Sequence, residues 1–414
     1  MDTGDTAFVL ICAALVFIMT PGLGFFYGGL GRRKNVINNL MASIFILGLG
    51  IAMWVLFGYS LAFSGDHFGF IGSLSNFGLS GVALGDPSPY APTIPSLAFV
   101  AFQMMFALIT PAIITGAVAG RMRFKALFLF IAFWSVAVYY PLAHMVWGQG
   151  GLLGADGLKS VDFAGGNVVH ISSGVSGLVL CLLVGRRQGY EHTSYRIHNV
   201  PFVALGMGLL WFGWFGFNAG SALGANGLAA HAFMTTATAT AAGLLSWMLI
   251  DVLVKRRPTL ISACTGVVVG LVAITPGAGF VPVWAALIIG GLAGPACYLG
   301  IILIKKKLKI DDALDAFGCH GIGGIWGGLM TGVFADPAIN SAASKGLFFG
   351  EVAQFSAQVL SILVSIGVAV FGTLVCAGLV KVLTEMRVGR REELMGLDYS
   401  QHGETAYPSF NGLD

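Results

Sequence analysis

The chain has 414 residues, 56% of them hydrophobic and only 10% charged, with a formal net charge of +3. Soluble domains carry roughly 25% charged residues, and a water-soluble fold of this size could not hide so much apolar surface. The sixty glycines point the same way, because glycine is costly in a soluble helix but lets membrane helices approach closely.

Met1–Thr6 holds two aspartates and no basic residue, so it lacks the positive start of a cleaved signal peptide and the first apolar run is expected to be retained. Apolar runs of about 20 residues, the length that crosses ~30 Å of hydrocarbon, then recur along the chain. Eleven are predicted, at roughly 7–30, 38–62, 96–119, 126–147, 165–184, 200–219, 232–254, 259–275, 282–303, 316–335 and 353–383. Between the second and third lies a Gly-, Ser- and Pro-rich loop at 63–95. After the eleventh comes a polar tail, 385–414, with a short helix at Arg390–Met395. The expected division is a transmembrane domain over 1–384 and a cytoplasmic tail.

The basic residues fix the orientation. With eleven spans and the N-terminus outside, twenty fall on one side: Arg32–Lys34, Arg121–Lys125, Arg186–Arg196, Lys255–Arg257, Lys305–Lys309 and Lys381–Arg391. Only Lys159 and Lys345 lie opposite. Lys and Arg accumulate on the cytoplasmic side. The six cysteines all sit inside predicted spans without CxxC spacing, so neither disulfides nor structural zinc is expected, and no cofactor is implied.

A weak internal repeat links the fifth and tenth spans. Val169-His170-Ile171-Ser172-Ser173-Gly174 and Cys319-His320-Gly321-Ile322-Gly323-Gly324 each carry one histidine before a Gly-rich face, and each follows a carboxylate, Asp162 or Asp315. Five spans apart, the two halves would run oppositely, as in inverted-repeat transporters whose sites lie at the midplane.

Ionisable groups within spans are functional candidates, because hydrocarbon penalises them. His170 and His320 read either as two unrelated core histidines, as a pair meeting at a pore centre, or, more thinly, as metal ligands. His67, His192, His198, His231 and His402 read as solvated, and His144 as an interfacial residue. Asp162 and Asp315 read as helix caps or as sources of negative potential. Phe102 and Phe106 share a helix face. With Trp147 and the run Gly213-Trp214-Phe215-Gly216-Phe217-Asn218-Ala219-Gly220-Ser221, they are core packing or a cage for a small cation.

These motifs resemble the ammonium transporter family (Amt, Mep and Rh proteins), the bacterial Amt branch above all. The resemblance runs almost end to end and rests on Asp162–Gly166 with Val169-His170, Gly213–Ser221, Phe317–Gly321, and Gly396-Leu397-Asp398 with His402-Gly403-Glu404. It implies that Trp147, Phe106, Ser221 and Asp162 recruit NH4+, that Phe106 and Phe217 form a phenyl gate, that His170 and His320 are twin pore histidines, and that Phe102 and Trp214 flank the path. It implies transport rather than enzymatic catalysis, a homotrimer in the cytoplasmic membrane, and a PII-type protein at the inner face. No nucleic acid is expected. An ammonium sensor is the alternative. A serine hydrolase built on Ser176, and a water or potassium channel, are disfavoured, the last two because neither Asn-Pro-Ala nor Thr-Val-Gly-Tyr-Gly occurs.

Overall fold

The structure, a computed structural model, describes residues 1–190 and 195–407. Eleven long helices dominate it: α1 (Thr3–Leu30), α2 (Arg33–Phe63), α3 (Ser96–Val118), α4 (Phe124–Trp147), α5 (Gly166–Val184), α6 (Val200–Gly220), α7 (Gly227–Lys255), α8 (Leu260–Ile274), α9 (Val283–Lys307), α10 (317–334) and α11 (Ala353–Leu383). Among the described residues, nine are long and apolar enough to cross a bilayer. The other two are the 15-residue α8 and α10, whose apolar content is diluted by glycine and a histidine. The chain is a multi-pass membrane protein.

The eleven helices fall on the eleven apolar runs, and the differences lie at their ends. α1 begins four residues earlier than expected because Asp2 caps it, its side chain accepting from Asp5 N at 2.8 Å. α7 likewise starts at Gly227, where the Asn226 side chain accepts from the Leu228 and Ala229 amides. In the loop at 63–95, β1 (Pro87–Ser88) and β2 (Ala91–Pro95) form a small antiparallel hairpin that composition did not signal.

Packing repeats between the halves. α1 lies against α6 and α5 against α10, while α3 packs on α5 as α8 packs on α10. α11 crosses α4, α5 and α10. Leucines such as Leu245, Leu249, Leu360 and Leu363 point outward from α7 and α11, where lipid is the apolar solvent. α5 is the innermost element: every residue from Ala164 to Gly177 is buried. It crosses α10 at very close range, since a Cβ on Gly174 would run into the backbone of His320 and Gly321.

The basic end of the bundle is held by ion pairs and by the tail. Arg187 forks onto Asp311 (2.6 and 2.9 Å), and Arg121 reaches the carbonyls of Gly185 and Asp311. Burial pushes the Asp311 carboxyl up, but Arg187 outweighs it and holds the group below its ordinary value. The tail folds into α12 (Arg390–Met395) and α13 (Leu397–His402). Asp398 caps the start of α2 by accepting from the Val36 and Asn38 amides at 3.0 and 2.9 Å. Lys34 donates to the Leu394 carbonyl, and His402 meets Asn38 Oδ1 at 3.1 Å.

Candidate functional site

A cavity of about 340 Å³ opens at the end of the bundle opposite the basic clusters. Phe106, Trp147, Ser221, Gln103, Phe163 and Asp156 are among its lining residues, and no Lys or Arg is. α3 supplies Phe106, the end of α4 supplies Trp147, and Ser221 closes α6, its Oγ donating to the Phe217 carbonyl at 2.9 Å. Trp147 is fixed by its indole N–H, which donates to the Asp162 carbonyl oxygen at 2.8 Å.

From this vestibule a column of rings runs inward. Phe106 lies edge-on to Trp147 (centroids 5.9 Å apart) and against Phe217 at 4.3 Å. Phe217 and Trp214 then stack on His170 at 6.1 and 5.4 Å. Phe102 backs Phe106 at 5.1 Å and is fully buried. Beyond Phe217 the free space shrinks to about 10 Å³ among Met19, Leu23, Ile113, His170, Trp214 and His320. That is at or below the roughly 10–15 Å³ that one water needs.

The two histidines meet there, with His320 Nδ1 and His170 Nδ1 3.2 Å apart. Both are buried. Two neutral rings in this arrangement share one proton between their Nδ1 atoms. His170 Nε2 has no protein partner. The pair therefore offers an unsatisfied polar atom within an otherwise apolar lumen, and a route for a proton from ring to ring.

What orients the pair lies a turn or two away. Both Asp162 carboxylate oxygens are occupied by backbone amides at the start of α5: Gly165 at 2.9 Å, Gly166 at 2.6 Å, Asn167 at 2.7 Å and Val168 at 3.4 Å. Gly165, at φ +126°, makes the bend that aims those amides, a conformation closed to L side chains. Asp162 does not line the vestibule; it caps the helix that carries His170.

The expected partner in the tenth span, Asp315, does not play this part. Asp312 does, accepting from the Ala316, Phe317 and Gly318 amides at 3.0, 2.9 and 3.3 Å. Asp315 pairs with Lys305 at 2.6 Å instead. The spacing carried the signal: each capping aspartate stands eight positions before its histidine, 162 to 170 and 312 to 320.

Other expectations need correction or completion. His144 is not interfacial but fully buried, with Nδ1 3.1 Å from the Ala62 carbonyl and Nε2 2.9 Å from Asp66 Oδ1. The hydrogen bond from His144 holds the Asp66 carboxyl below its usual value. His198, His231 and His402 are half-buried and hydrogen-bonded rather than solvated. His67 is exposed, and His192 lies outside the described residues. Two polar groups went unread: Thr275, whose hydroxyl takes the Trp214 indole N–H at 2.9 Å, and Gln103, whose buried Oε1 has no partner. Gln103 is a polar residue inside an apolar run between Phe102 and Phe106, and that was a legible signal. Six free cysteines are buried in the spans, and no cluster of three or more metal-ligating side chains occurs among the described residues.

Comparison with known proteins gives a consistent result. Residues 7–407 match the model of the Ammonium Transporter Family. An ammonium transporter of Bacillus subtilis is 48% identical over 407 residues, covering 98% of this chain and 99% of that protein. The crystal structure of Saccharomyces cerevisiae Mep2 superposes with a TM-score of 0.85 at 38% identity, over 91% of this chain and 85% of that one. A structure described as a sensor Amt protein gives 0.87 at 30% identity, over 96% and 98% of the two chains.

Proposed function

The chain belongs to the ammonium transporter family, and from that premise we propose that it recruits NH4+ in the outer vestibule, removes one proton, and passes NH3 along the twin-histidine lumen. One observation carries this: the ring column narrows from a cavity of about 340 Å³ to about 10 Å³ at a histidine pair with a free ring nitrogen. Phe106 and Trp147 present ring faces that attract a small cation, and the vestibule carries no competing cation. Ser221 and Asp156 supply oxygen acceptors. Phe106 and Phe217, in contact, form the gate. Trp214 and Phe102 flank the path.

Selectivity follows from desolvation. An ion squeezed into an apolar lumen loses its water at a cost of several kcal/mol or more. Ammonium escapes that cost by crossing as NH3 while its proton either passes separately along the histidine pair or returns to the outer solution, and potassium has no proton to shed. Asp162 acts through the position of His170, and the carbonyl of the same residue holds Trp147. In this reading residues 1–384 form the transport domain and 385–414 a cytoplasmic tail, the basic face is cytoplasmic, three copies assemble in the cell membrane, and a PII-type protein is the candidate regulator.

Reconstituted in liposomes, the protein should give a transient current on an ammonium jump and none on a potassium jump. His170→Ala and His320→Ala should abolish the current or admit potassium. Lumenal alkalinisation without current would mean NH3 conduction without net charge. Silence in both assays, with ammonium still binding, would replace transport by sensing, the second reading, which the likeness to a sensor Amt protein favours.

A further inference from the structure

A second cavity, of about 540 Å³, lies at the basic end of the bundle, far from the ring column. Three segments wall it: the turn Arg32–Lys34 between α1 and α2, Arg196 and His198 before α6, and the tail at Asp398, Tyr399 and 404–407. Four cations face it against two carboxylates. Of these, Asp398 is consumed as the cap of α2.

Two of the guanidinium groups are positioned by aromatic rings, and none of the three is paired with a carboxylate among the described residues. Arg32 lies 4.2 Å over the Tyr195 ring, whose other neighbour at the same distance is Arg187, and Arg33 lies 5.3 Å over Tyr407. Tyr407 is itself anchored, its hydroxyl 3.2 Å from His198 Nε2 and from Asn199 Nδ2. Among the described residues no carboxylate pairs with Arg32, Arg33 or Arg196, although Arg123, Arg187, Lys305 and Arg387 on the same face all have one. A general excess of positive charge on the cytoplasmic side explains their sign. It does not explain why they converge on one open cavity without a carboxylate partner, two of them held over tyrosine rings.

We infer that this cavity binds a phosphate-bearing anion, which the forks of Arg32, Arg33 and Arg196 grip and which ties the tail to the α1–α2 turn. Planar guanidinium donors match phosphate oxygens two at a time, and stacking on an aromatic ring lowers the entropy lost on binding. A free phosphate compound and a phospholipid headgroup present the same group, and the cavity lies where either could reach it. Arg32 and Arg196 also line the neighbouring cavity of about 300 Å³ beside Asp315, so the bound anion would sit next to the inner end of α10. The inference is independent of how ammonium crosses.

The test uses the full chain in nanodiscs and reads hydrogen exchange of residues 394–407. One arm adds inorganic phosphate to phosphatidylcholine discs; the other uses discs containing phosphatidylglycerol and no phosphate. Protection in the first arm identifies a soluble anion, and protection in the second a headgroup. The double variant Arg33→Gln/Arg196→Gln should weaken apparent affinity by on the order of tenfold per lost fork, and Lys306→Gln, an exposed cation outside the cavity, should not. Arg33→Lys/Arg196→Lys, which keeps charge and loses the fork, should fall between. Exchange within α5 serves as the folding control for every variant. No protection in either arm would overturn the inference, as would equal protection in the Lys and wild-type proteins, which would mean diffuse attraction rather than a site.

Discussion

Replacing Asp162 by Ala removes the acceptor of four amides at the start of α5, three of them at 2.9 Å or less. Each buried N–H left without a partner costs about 1–3 kcal/mol, while whole-cap substitutions elsewhere cost about 0.5–2 kcal/mol because the chain relaxes. Three well-formed bonds to a charged acceptor put this case above an ordinary cap but below the unrelaxed sum, at about 3 kcal/mol for local opening. That corresponds to a population change on the order of 100-fold. Hydrogen exchange at residues 166–170 should therefore accelerate by about that factor, and the ammonium current should vanish with it, because His170 sits at the end of the loosened turn. Asp162→Asn keeps one oxygen, and with it one pair of amides, so both effects should be intermediate. Wild-type protection and current in Asp162→Ala would refute the argument. So would loss of current in Asp162→Asn without any change in exchange, since the negative charge rather than the cap would then be the active feature.

Gly174→Ala should lower stability by about 1–3 kcal/mol, because the new methyl meets the rigid backbone of α10; a thermal melt would measure this. Gln103→Leu should leave the melting temperature unchanged, since Oε1 has no partner to lose, but raise the half-saturating ammonium concentration about fivefold if that oxygen takes a substrate N–H. Asp311→Asn strands Arg187 and should cost about 3 kcal/mol at pH 7. The Asp311 carboxyl is held below its ordinary value of about 3.9, so its contribution is complete above that pH and disappears as pH falls further. The variant's stability should accordingly be flatter than the wild type's below about pH 4 in an acid titration.

The spans were legible because lipid imposes one crude demand, an apolar run of sufficient length, and the basic loops divide cleanly between its ends. His170 and His320 were legible for the same reason, as ionisable groups where none is affordable. The capping aspartate of the tenth span was not: Asp311, Asp312 and Asp315 crowd together, and closeness to the helix favoured the wrong one, while the shared eight-residue spacing pointed to the right one. His144 was misread because its partner Asp66 comes from a loop 78 positions away, and no local pattern reports a distant acceptor. Thr275 escaped for that reason too, being one of many hydroxyls until Trp214 is found beside it.

The tail does not touch the two histidine helices alike. Arg387 donates to the Val184 carbonyl at the last turn of α5, and the Gln188 amide just beyond it donates to Glu393. No described hydrogen bond or ion pair joins the tail to α10. Anything that pulls the tail away therefore has a direct handle on one ring of the pair and only a borrowed one on the other, through Arg187 and Asp311. A pull on the tail is therefore felt at the last turn of α5 before it reaches α10, so the two histidine helices are not equivalent towards this end of the molecule.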